Sequence, residues 1–191
     1  MVSGSNHASI NIVTSISFNN RDLENVSEAL SIAEDKIGNY YKFSFGQWKR
    51  HKYDIKTLSG LSQDEIAPEV FALLNKKARR IRGYEPKTKN RDFYFICLQD
   101  NRILHAVKRD PATKLLPLLV YVLTHELVHV VRFCNFEQRF EIALKEREKE
   151  EKIVHETTYD ILKTLSLPDL SYILDFYREH RIFEMDRYWM S

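Results

Sequence analysis

Between Leu115 and Phe133 the chain is apolar on every side of a helical projection, apart from a few polar residues. A helix of that kind has no face to give to water, so it has to lie in the middle of a fold. A bilayer span would need about 20 apolar residues in a row. Here Pro117, His125, Glu126, His129 and Arg132 interrupt the run, so it reads as a buried core helix and no membrane is expected as a partner. Of the 191 residues 43% are apolar and 29% charged, a balance that supports a core and does not suit a disordered chain. The first ten residues are small and polar, with neither a basic cluster nor an apolar stretch. They predict no secretory signal and a cytoplasmic location. Residues 1–15 are expected to be a disordered tail and residues 16–191 a single domain.

The elements around the core helix can be read from periodicity and caps. A helix is expected from Arg21 to Lys36, capped by Asn20 and ended by Gly38. Tyr40 to Lys56 alternates in places through Tyr41, Phe43 and Phe45 and predicts strand, turning at Gly46. Ser62 and Glu65 have the spacing of a capping box ahead of a helix from Ile66 to Ile81. Arg91–Leu98 and Arg102–Val107 read as a β-hairpin with its turn at Asp100–Asn101. After Pro111 the pattern is helical: Leu115 to Phe133, then Phe136 to Leu165 as one long helix or a broken pair, then Asp169 to about Phe183. The fold class expected is α+β, with a small mixed sheet in the N-terminal half and a helical C-terminal part.

Chemistry concentrates in Val122-Leu-Thr-His125-Glu126-Leu-Val-His129-Val-Val131. Residues four apart share a helix face, so His125 and His129 can offer ring nitrogens to one ion. Glu126, one position round, can reach a water on that ion without binding the ion itself. A chain of this composition contains roughly 0.02 H-E-x-x-H matches by chance. The apolar setting adds weight, because burying two imidazoles and a carboxylate is costly unless they are paired or bound to metal. With only two cysteines, Cys97 and Cys134, against seven histidines, a metal site here has to use His, Asp and Glu. Both cysteines are expected to be buried free thiols.

Val122 to Val131 resembles the extended motif of the zincin metallopeptidases. The Gly and His that follow that motif in metzincins are missing after His129, whereas Glu156 and Asp160 match the E-x-x-x-D of gluzincins. The resemblance implies a zincin-like fold and a zinc-dependent hydrolase that cleaves peptide bonds, with one zinc ion per chain. It also implies His125, His129 and Glu156 as ligands, Glu126 as general base, and Asp160 behind a ligating histidine. Glu151 and His155 form a rival pair one turn apart, with His155 the alternative third ligand, and periodicity alone does not choose between the pairs. In zincins an edge strand ahead of the metal helix aligns the peptide, so one strand of the expected hairpin would line the cleft. Tyr177 and His180 are named as candidates for stabilising the oxyanion.

Two further readings compete with hydrolysis. A non-catalytic zincin-like domain would hold metal and act as a protein-interaction or regulatory module. A di-iron protein would need a second E-x-x-H, which the sequence lacks. The basic stretches Lys49–Lys52 and Lys76–Arg82 would serve nucleic acid only if they shared a face, and a net charge of +2 gives little drive toward a polyanion. The mixed-charge run Glu137–Lys152 reads as a solvated helix surface. The partner expected is therefore a peptide or protein substrate, and the oligomeric state is left open.

Overall fold

The computed structural model describes residues 16–78, 92–137, 139–140 and 144–179; the N-terminal tail expected over residues 1–15 lies outside them. The architecture is α+β. Among the described residues, six α-helices accompany one three-stranded mixed sheet.

Helix α1 runs Asn20–Tyr41. Its cap is Asn19, one residue before the position expected. The Asn19 side chain accepts the Arg21 and Asp22 N–H groups at 2.8 and 3.1 Å, while Asp22 accepts the Asn19 N–H at 3.0 Å. Gly38 does not end the helix; the chain leaves it at Lys42, which has a left-handed backbone (φ 54°). The strand expected over Tyr40–Lys56 is therefore mostly something else. A short helix α2 (Phe45–Trp48) and a bend occupy it, and only β1 (Tyr53–Lys56) is extended. The aromatic alternation serves a local cluster, in which Phe43 stacks on Tyr41 and on His51.

The capping box at Ser62 and Glu65 forms, but it closes a single 3-10 turn, and the helix expected over Ile66–Ile81 is strand β2 (Ala72–Ala78). Pro68 disfavours helical backbone at Ala67. Leu73 and Leu74 are both buried because both faces of the strand are covered. Leu74 joins the main core, and Leu73 packs with Ala67, Val70 and Cys97. An apolar run of this length has no periodicity that separates strand from helix.

Strand β3 (Asp92–Leu98) forms as expected, parallel to β1 and antiparallel to β2. Its expected hairpin partner is instead helix α3 (Asp100–Arg109). The chain turns because the buried Asp100 carboxylate accepts the N–H groups of Phe18 (2.9 Å) and Leu58 (3.0 Å). Ile103 and Ala106, three apart, then face the core. With β3 in the centre of the sheet, the edges are β1 and β2, so no hairpin strand from this segment is an edge for a peptide.

Helix α4 (Leu115–Cys134) matches its expected span, and every residue from Pro117 to Val131 is buried. By length and composition it is apolar enough to cross a membrane, yet 83% of its most apolar window is inside the fold. Helix α1 lies along it, presenting the buried Val26, Ala29, Ala33 and Ile37. Helices α5 (Leu144–Leu162) and α6 (Leu170–Glu179) also pack on it. They fall within the two helical spans expected for the C-terminal part.

Candidate metal centre

Three donor atoms meet between α4 and α5. His125 Nε2 and His129 Nε2 are 3.2 Å apart, and Glu151 Oε2 lies 3.3 Å from the first and 3.2 Å from the second. Ligands bonded to a tetrahedral ion at about 2.0–2.1 Å stand about 3.3–3.4 Å from one another. The triangle thus has the edge lengths of three corners of such a tetrahedron. Both histidines are only 2% exposed, and Glu151 is buried with them. A buried, acceptor-rich set at these distances could hold a metal ion, and the residues present fit one.

The electrostatics follow from the same proximity. Burial works against the charged form of Glu151, but the adjacent imidazoles outweigh it and hold the carboxyl well below its ordinary value. Burial likewise opposes charge on His129, and Glu151 reverses that and raises it. For Glu126 burial dominates and lifts the carboxyl, with His125 and His129 pulling the other way. Glu126 is buried beside His125 and His129, close enough for both imidazoles to act on its carboxylate.

The third donor comes from Glu151 and not from Glu156. The Glu156 side chain is 54% exposed and faces Lys152 at 4.0 Å. Asp160 is likewise turned outward, 47% exposed, and pairs with Lys163 at 2.6 Å. It does not stand behind a histidine, and His125 Nδ1 has no hydrogen-bond partner among the described residues. Helical phase gives the reason. Glu150 and Glu151 point toward α4, and Glu156 and Asp160 lie on the other side of the same helix. The solvated run expected over Glu137–Lys152 therefore ends with two buried carboxylates.

His155 lies one turn beyond Glu151. Its ring is 4.6 Å from that of His125, and donor atoms of His125, Glu151 and His155 lie within 4.8 Å of one another. The ring is held by the Tyr121 hydroxyl, 2.8 Å from His155 Nδ1. Tyr121, one turn before His125 on α4, carries no motif and was legible only as an apolar core residue. Tyr177 is buried and stacks on Tyr121 at 5.3 Å; His180 lies outside the described residues. A cavity of about 310 Å³ opens beside His155, lined among others by Tyr121, Glu156, Tyr159, Asp160 and Tyr177.

Arg132, the other interruption of the apolar run, joins the two helices. Its Nε and Nη2 donate to the two carboxylate oxygens of Glu150 at 2.6 and 3.0 Å, and Nη1 donates to Glu137 at 2.8 Å. Two lysines of the second basic stretch are paired with carboxylates. Lys76 pairs with Asp92, and Lys77 with Glu65; Arg79 to Arg82 lie outside the described residues. Cys97 and Cys134 are free, and burial pushes their thiols up to about 12 and about 11, which keeps them protonated and poorly nucleophilic. No protein-family model, no curated protein and no solved structure matches the chain.

Proposed function

We propose that the protein is a zinc-dependent hydrolase that cleaves peptide bonds. The observation that carries this reading is the donor triangle of His125, His129 and Glu151 with Glu126 beside it. Two imidazoles and one carboxylate are a set that suits zinc and leaves a fourth position open. Zinc bound there supplies a Lewis acid that makes a coordinated water acidic near neutral pH.

His125 and His129 are fixed by a helix that cannot rotate without exposing apolar side chains, so their ring nitrogens stay aimed at one point. Glu151 supplies negative charge to that point. Glu126 accepts a proton from the attacking water as oxygen bonds to the carbonyl carbon. It then delivers that proton to the amine nitrogen as the C–N bond breaks. Its burial-raised basicity suits it to holding a proton between those two events.

A second reading is favoured by His155, whose position within 4.8 Å of the His125 and Glu151 donors would let it fill the fourth corner. Four protein ligands make a closed, structural site, and the domain would then be a non-catalytic metal-binding module for protein interaction or regulation. Elemental analysis and a peptide-cleavage assay on the same preparation separate the two. The hydrolase reading expects one zinc per chain, cleavage by the wild type, and zinc retained without cleavage in Glu126→Gln. Indifference of cleavage to Glu126→Gln, or two irons per chain, would sink it.

A further inference from the structure

The cavity beside His155 differs from the rest of the protein in what lines it. Tyr121 and Tyr177, stacked on one another, give it aromatic walls, and Tyr159 adds a third. Glu156 and Asp160, one helical turn apart on α5, bring two carboxylates to it. At about 310 Å³ it stands at the lower end of the range for ligand clefts, a size for one side chain. Among the described residues no lysine or arginine lines it. Lys152 and Lys163 touch the two carboxylates from solvent, at 4.0 and 2.6 Å. Exposed pairs of this kind are weak and yield to a better-placed cation.

We infer that this cavity is a specificity pocket for a basic side chain, Lys or Arg, of the peptide whose backbone reaches the donor triangle. The inference rests on the hydrolase reading and names its substrate class. The position follows from His155, which lines the cavity while its ring sits 4.6 Å from that of His125. A residue seated in the pocket is therefore a close neighbour of the bond held at the triangle. The chemistry follows from the lining: a long aliphatic stem lies against tyrosine faces, which also attract the cationic head, and the head ends between two carboxylates. An acidic side chain would meet like charge, and an aliphatic one would leave both carboxylates without a new partner.

The test uses the full chain loaded with zinc and a peptide set that differs only by Lys, Arg, Leu or Glu at one scanned position. Cleavage is read on the wild type, and binding is read by fluorescence anisotropy on Glu126→Gln. The expected result is a preference of about tenfold or more for Lys and Arg in both readouts. In the double variant Glu156→Gln/Asp160→Asn that preference should fall to near unity. Paired reversal, Glu156→Lys/Asp160→Lys, should move the preference toward Glu. Cleavage without a basic preference, or a preference that survives the double variant, overturns the pocket and leaves the hydrolase standing. Selective binding of basic peptides with no cleavage by the wild type keeps the pocket and sinks the hydrolase. Neither binding nor cleavage of any peptide overturns both.

Discussion

Arg132 grips Glu150 through two hydrogen bonds, Nε to one carboxylate oxygen at 2.6 Å and Nη2 to the other at 3.0 Å. The pair lies beside the donor triangle, three residues beyond His129 on α4 and one before Glu151 on α5. Its geometry sets the phase of α5 against α4, and that phase decides which carboxylate reaches the histidines. Glu150 is almost fully buried, so removing its partner leaves an uncompensated charge. Arg132→Met should cost roughly 3 kcal/mol in urea denaturation and weaken zinc binding as well. Adding Glu150→Met should restore most of the stability, since the stranded charge is then gone. A double variant no more stable than Arg132→Met would show that the pair is not what holds the helices together.

The identity of the third donor can be read from affinity alone. Glu151→Gln should weaken zinc binding by roughly 100-fold or more in chelator competition, and Glu156→Gln should leave it within about twofold. The reverse pattern would restore the ligand set that the gluzincin resemblance implies and overturn the geometry described above.

Glu65 makes stability depend on pH through a group outside the donor triangle. Burial pushes its carboxyl up, but hydrogen bonds from Lys56, Ser62 and Lys77 outweigh that and bring it down to about 2. A folded value below the unfolded one, about 4.3, means the contribution is complete above the unfolded value. It is lost as pH falls from there toward 2. Glu65→Gln should therefore be markedly less stable than the wild type at pH 7. The gap in urea midpoint should shrink between about pH 4.5 and 2.5. A gap constant over that window would contradict the assignment.

The seam between α1 and α4 tolerates little added volume. Ala33 is fully buried on the face that α1 presents to α4, so Ala33→Leu should destabilise by roughly 1–3 kcal/mol. Asn19→Ala removes the cap of the same helix and should cost about 1 kcal/mol. Thermal denaturation of the two single variants and their combination measures both. The effects should add, because the sites are more than three turns apart.

The central helix and its two histidines were legible in the sequence because their signal is global. An all-round apolar helix has one environment, and polar residues inside it need a reason. The third donor was not legible, since Glu151 and Glu156 sit on one charged helix and only the packing of α5 tells which of them turns inward. Arg132 carried that information, but as a single basic residue at a helix end it looked like any other. The errors in the N-terminal half share one cause. Short apolar runs such as Val70–Leu74 fit strand and helix alike. Ile103, Leu104, Ala106 and Val107 carry helical spacing that a neighbouring strand made easy to pass over. The capping box that Ser62 and Glu65 predict does form, but it closes one 3-10 turn and no long helix follows it.

Helix α4 has no polar side, and α1, α3, α5, α6 and the sheet together separate it from water. Any event that peels one of them away presents a contiguous oily surface some five turns long. The opened form should then self-associate before the rest of the chain unravels. Heat inactivation is expected to be irreversible and concentration-dependent even where urea unfolding is reversible. Weakened variants should be lost from solution as aggregates more readily than as soluble unfolded chain.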